Sequence, residues 1–337
     1  MARVALLSLL LIAAAFAHPP VVPKNSAKPI GPYSIGMDAG GFLYASGQSG
    51  RDAAGKLPAG AAEQARQCLN NVKDIIEAGG LTMRHVVALQ MYLTDLGTLP
   101  EVDKVYREFF PEQAPARVVV GTVRMPFASP IEITAVAVKD LSQKRATAEG
   151  VWAGDRLYLN AIAAPTLLAA QRELRNTLRR AALSDRSMVF ENTYTTGKAS
   201  EAEVKVAALP GGAKSELFVV ASKKPGEVLR DGCREAAGTL YCEVRASSGH
   251  GTIEEQTKEL FAQLKTRMEA HSFKFDDVVA ANVWMNDLDE FQRMNAVYAT
   301  YFPGAPPTRT TLQPAPAAPT APAIRLSIVA VHGEHPR

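Results

Sequence analysis

Apolar side chains between Ala61 and Ala78 recur at Ala65, Cys68, Leu69, Val72, Ile75 and Ile76. That i, i+3, i+4 spacing places them on one face of a helix, which Gly79-Gly80 stops. His85 to Leu93 reads as a strand bounded by Thr94-Asp95. Leu99 to Phe110 is a second helix, with Leu99, Val102, Tyr106, Phe109 and Phe110 on one side and Pro111 ending it. Arg117 to Arg124 and Ile131 to Val138 are β-rich runs joined by a loop that holds Pro126 and Pro130. Upstream, Ser34 to Ser46 forms a hairpin that turns at Ala39-Gly40-Gly41. The order ββαβαββ makes one compact α+β unit.

The unit recurs. Residues 61–117 lie against 253–309 without a gap, and 16 of the 57 positions are identical. Among them Val86-Val87-Ala88 meets Val278-Val279-Ala280, Asp95-Leu96 meets Asp287-Leu288, and Arg117 meets Arg309. Between these copies, Val151 to Asn160 turns at Gly154-Asp155 and carries Leu157-Tyr158 where the others carry Leu43-Tyr44 and Leu240-Tyr241. A helix bearing Leu167, Leu174, Leu178 and Ala181 follows, then a strand from Met188 to Thr196. Pro210 and Glu216 to Ser222 repeat the spacing of Pro126 and Glu132 to Val138. A second helix is missing here. The reading is three tandem units: an intact one at 25–141, a shortened one at 147–223 and a third at 228–331.

Composition narrows this picture. With 37 basic and 34 acidic residues in 337, the net charge is +3, too even for a surface that tracks nucleic-acid phosphates. Ordinary numbers of Gly (24), Pro (22) and Cys (3) exclude collagen and a disulfide scaffold. Residues 1–17 read as a signal peptide: Arg3 is the basic end, Val4 to Phe16 the apolar run, and Ala15-Phe16-Ala17 the cleavage site. The run is shorter than the ~20 residues a membrane span needs. The mature chain is then exported, to a periplasm or outside the cell, with no membrane segment and in an oxidising compartment.

Within the first unit, Ile30-Gly31-Pro32-Tyr33-Ser34 and Ala45-Ser46-Gly47-Gln48 resemble the opening of the RidA family, the YjgF-type reactive-intermediate deaminases. Tyr92-Leu93-Thr94-Asp95-Leu96, Pro115-Ala116-Arg117 and Ile131-Glu132-Ile133-Thr134 follow in the family's order. The resemblance implies a chorismate-mutase-like fold, with two helices on one face of a mixed sheet. It also implies homotrimers whose ligand sites lie between subunits. By that resemblance this chain is a trimer written as one polypeptide, a monomeric pseudo-trimer.

The resemblance further implies site residues. Arg117 matches an arginine that holds a substrate carboxylate, for which a guanidinium fork is suited. Glu132 matches a glutamate that orients the water attacking an imine carbon. Tyr33 matches the tyrosine that closes the pocket, and Ser46 and Gly47 a turn that approaches the ligand. Asp103 stands where many relatives have Asn, which sets a negative charge near a site for anions. The second unit keeps Glu216 opposite Glu132 but has Glu201 opposite Arg117. The third keeps Arg309 but has Arg325 opposite Glu132. One complete site is therefore expected, on the first unit and walled by a neighbour. Its implied reaction hydrolyses a small carboxylate-bearing imine or enamine to a 2-oxo acid and ammonia, with no metal or cofactor. A non-catalytic 2-oxo acid binding protein and a chorismatase-like hydrolase stand as alternatives.

Cys233 and Cys242 flank a hairpin turning at Ala237-Gly238, which sets them opposite one another as a candidate disulfide. Cys68 sits on a buried helix face as a small hydrophobe. His332 and His335 lie in a polar tail without Cys or carboxylate company, a poor metal site.

Overall fold

Three sheets follow one another along the chain, each covered on one face by the helices that connect its own strands. The computed structural model describes residues 18–200, 202–228, 232–247, 249–316 and 321–333. The leader at 1–17, Glu201 and His335 lie outside the described residues.

The first unit runs β1 (Pro20–Val21), β2 (Gly36–Ala39), β3 (Phe42–Ser49), α1 (Ala61–Ala78), β4 (Val86–Leu93), α2 (Leu99–Phe109), β5 (Ala116–Gly121) and β6 (Ile131–Val138). The second has β7 (Lys144–Ala146), β8 (Gly150–Ala153), β9 (Arg156–Leu159), β10 (Ile162–Ala164), α3 (Leu167–Arg180), β11 (Met188–Thr195), β12 (Glu203–Lys205) and β13 (Ser215–Ser222). The third has β14 (Pro225–Val228), β15 (Cys233–Ala236), β16 (Thr239–Arg245), α4 (Ile253–Ala270), β17 (Val278–Met285), α5 (Phe291–Tyr301), β18 (Thr308–Leu312) and β19 (Ile324–Val331). The first and third sheets share one strand order, β1-β2-β3-β6-β4-β5 and β14-β15-β16-β19-β17-β18. Only the β4–β5 and β17–β18 pairs in them are parallel. The second sheet follows the same plan, and α3 is its one α-helix among the described residues. Each sheet starts earlier than periodicity places it, because β1, β7 and β14 are two to four residues long and too short to show alternation.

Alternation sends Ile131, Ile133, Ala135 and Ala137 of β6 toward α1 and α2, where they pack on Leu69, Val72 and Ile76. The opposite faces of all three sheets share a second core, to which Tyr44, Tyr92, Tyr158, Tyr194, Tyr241 and Trp284 contribute. Tyr92, Tyr194 and Trp284 hold equivalent positions, and Trp284 packs on both tyrosines at centroid distances of 5.9 and 5.8 Å. The loops after the edge strands clasp one another. Gly121 bridges Ala208, Arg124 bridges Gln313, and the Ala315 N–H donates to Lys205 O at 2.9 Å. Burying one aromatic layer from every unit makes the three units a single packed body.

Candidate active site

Glu132 is the second residue of β6, and its apolar neighbours turn it away from the helices toward the third unit. A bulge in β3 makes room for it. Ala45 pairs with Ala135 and Gln48 with Ile133, so Ser46 and Gly47 together oppose Thr134. Gly47 is required there, since a Cβ would overlap both Glu132 Oε1 and Thr310 Oγ1. Thr310 Oγ1 on β18 donates to Glu132 Oε1 at 2.8 Å. Burial pushes the Glu132 carboxyl up to about 7, against the opposing pull of that hydrogen bond and of Arg309.

Arg309, beside Thr310 on β18, is 4% exposed and lies among aromatic rings. Its guanidinium carbon sits 4.7 Å from the Tyr298 centroid, 5.4 Å from Tyr33 and 5.5 Å from Phe291. Its Nη1 and Nη2 have no acceptor, and neither polar atom of the Asn295 amide has a partner. The segment around Tyr33 lies across this group, with the Ser34 N–H donating to Pro307 O at 3.1 Å. Gly31 passes so close that a Cβ would stand 2.7 Å from Arg309 Nη2. Tyr33 Oη accepts from the Ile30 N–H at 3.3 Å, and burial raises its phenol.

Tyr33, Gly47, Gln48, Glu132, Phe291 and Arg309 line one cavity of about 440 Å³. Ser46 is buried behind it, where its Oγ accepts from Gln48 Nε2 at 2.8 Å and so fixes a residue of the wall. The chemistry on offer is a cationic fork without an acceptor beside a carboxyl that titrates near neutrality. Such a site can anchor an anion and move a proton. Among the described residues no group of His, Cys, Asp and Glu is arranged to hold a metal.

Arg117 and Asp103 do not join this cavity, which corrects the expectation that Arg117 acts beside Glu132. β5 and β6 flank β4 on opposite sides, Arg117 pairing with Leu89 and Glu132 with Tyr92. The two strands are two spacings apart, about 9–10 Å, and reach different neighbours. Arg117 Nη1 donates to Asp103 Oδ1 at 2.6 Å, and its guanidinium lies 4.4 Å from the Tyr106 centroid. The acid facing it from the second unit is Glu216, whose Oε1 accepts from the Val119 N–H at 3.3 Å. On the face of the third unit that the acid Glu203 of the second unit influences, Arg325 pairs with Glu243 of its own sheet at 3.2 Å. Sequence reasoning set Arg309 opposite Arg117 but did not assign it to the site, and it passed over Thr310 and Asn295. The signal was present in two parts: the ungapped repeat, and a site expected between units, whose arginine must come from the neighbour.

A family model described as Endoribonuclease L-PSP matches residues 23–139 and 231–331. The RutC family protein PH0854 of Pyrococcus horikoshii is 40% identical over 122 residues, 36% of this chain and 97% of that protein. The 2-iminobutanoate/2-iminopropanoate deaminase of Escherichia coli is 39% identical over 123 residues, 35% of this chain and 96% of the enzyme. The crystal structure of the E. coli YjgF gene product is 37% identical, covers 36% of this chain and 99% of that chain, and has a TM-score of 0.35.

Proposed function

Because the chain belongs to the RidA (YjgF-type) family, that of the Endoribonuclease L-PSP model, we propose that it is an exported deaminase with one working site, between the first and third units. The substrate is an imine, or the enamine in equilibrium with it, derived from an amino acid. Water adds to the C=N carbon and the C–N bond breaks, so a protonated imino acid and water give a 2-oxo acid and ammonium. Arg309 receives the substrate carboxylate in a two-pronged bond that lysine cannot reproduce. Ionised Glu132 orients the water and takes its proton, then returns it to the departing nitrogen. Thr310 holds the carboxylate of Glu132 toward the cavity. Export is supported by the leader-like first residues and by the Cys233–Cys242 disulfide, which persists in oxidising compartments.

The observation that carries this reading is the buried Arg309 guanidinium without an acceptor, in the cavity of an acid that titrates near 7. The test is release of 2-oxo acid from imines generated in situ by an amino acid oxidase. Arg309→Lys and Glu132→Gln are each expected to slow the enzyme-dependent rate by about 10²-fold or more. Arg117→Ala, at the other interface, is expected to retain it. Equal rates for wild type, Arg309→Lys and Glu132→Gln overturn the assignment.

A further inference from the structure

The cavity is larger than the reacting group needs. A four-carbon imino acid has seven non-hydrogen atoms and fills roughly 200 Å³ even at the ~30 Å³ that a water takes in its liquid. The cavity holds about 440 Å³. Its wall beyond Glu132 and Arg309 includes Ile30, Ile75, Pro126 and Phe127. Ile30 is 43% and Phe127 58% exposed, unusual for large apolar side chains. Exposed apolar surface that borders a ligand cavity marks where an apolar part of the ligand is covered.

Phe127 is held there against its own backbone preference. Its φ is +57° and that of Ala128 +51°, in the left-handed region that glycine occupies freely and a bulky residue does not. The second unit makes the corresponding turn with Gly211 and Gly212, at φ +63° and +72°. The first unit thus carries a phenylalanine where its sister copy uses the unstrained residue. Arg51 fastens the loop from below, its Nη2 donating to Phe127 O at 3.0 Å. Strain kept at a cavity mouth points to a task for the side chain it presents.

We infer that the substrate is an imino acid with a bulky apolar side chain, aromatic or branched aliphatic. Its carboxylate sits on Arg309 and its side chain between Ile30 and Phe127. The inference rests on the deaminase reading for the reaction, though not for the shape of the ligand. The experiment compares kcat/KM for imines made in situ from alanine, 2-aminobutyrate, leucine and phenylalanine. Imines of leucine and phenylalanine are expected to exceed that of alanine by about 10-fold or more, the scale on which a hydrophobic pocket discriminates. Phe127→Ala is expected to narrow the phenylalanine-to-alanine ratio about 5-fold or more, whereas a general loss of folding lowers both values together and leaves the ratio unchanged. A wild-type ratio near one, or a ratio that Phe127→Ala leaves unchanged while the alanine value is retained, overturns the inference. Calorimetry with the product acids separates it from the reaction itself. Phenylpyruvate binding about 10-fold tighter than pyruvate, without turnover of any imine, upholds the side-chain pocket and removes the deaminase. Turnover of every imine without discrimination does the reverse.

Discussion

Arg117 and Arg309 hold the same position in the first and third units, and each faces one polar residue of the helix before it, Asp103 or Asn295. Asp103 is an acid and closes an ion pair on Arg117, so that guanidinium already has its carboxylate. Asn295 carries no charge and leaves Arg309 without one. The departure noted at Asp103 therefore belongs to the interface that is locked, not to the open cavity. Glu132 supplies the titration that the open site needs. Its ionised form is the base, so kcat/KM should rise with pH through about 7 and level off above it. Thr310→Val removes a bond to the ionised form and should move that rise to higher pH, which a pH–rate profile reads directly. Stability changes in the opposite sense. The folded carboxyl keeps its proton from its ordinary 4.5 up to about 7 while the unfolded one has released it, so stability from this group falls across that window and is constant above it. The loss is roughly 3 kcal/mol. Urea midpoints that show the same slope in wild type and Glu132→Gln between those pH values contradict this.

At the scale of elements, one bulge separates a strand that makes room for the base from one that does not. β3 yields an extra residue at Ser46-Gly47, whereas β16 runs in continuous register with β19 from Thr239 to Arg245. Val244, three residues past Tyr241 as Gly47 is three past Tyr44, lies in that unbroken ladder. Gly47→Ala should displace the Glu132 carboxylate without unfolding the sheet, since the bulge lies at one end of a strand paired along its length. The expected result is kcat lower by about 10²-fold with unchanged far-UV circular dichroism. Near-wild-type kcat in Gly47→Ala would remove the bulge from the mechanism. Much at this scale was legible beforehand. All six buried positions of α1 and the limits of β6 follow from apolar spacing. So does the Cys233–Cys242 pair, because a two-residue turn at Ala237-Gly238 fixes the register. Gly47 read as part of a turn, since a bulge inserts one residue without altering composition. The partner of Glu132 was hidden for another reason: alternation tells which face a side chain takes but not which distant strand meets it.

Across the whole molecule, three interfaces that would be identical in a homotrimer have taken three different polar solutions. Glu132 meets Arg309 with Asn295 neutral, Glu216 meets an Arg117 already bound to Asp103, and Arg325 pairs with Glu243. Units on one chain can differ in this way, since a substitution in one unit does not appear in the others, and their covalent links make their packing an intramolecular step. The shared aromatic core supplies the packing that a trimer would draw from separate chains. The chain is accordingly expected to sediment as a monomer and to unfold at a temperature independent of its concentration, where a trimer of chains would melt lower on dilution. Its ligand stoichiometry follows from the same asymmetry. Calorimetric titration with a 2-oxo acid should saturate at about one per chain, because among the described arginines only Arg309 has both Nη atoms buried without an acceptor. Arg309→Lys should abolish that heat and Arg117→Lys should keep it. Three equivalents per chain, or one equivalent that survives Arg309→Lys, would mean that the locked interfaces still open to ligand.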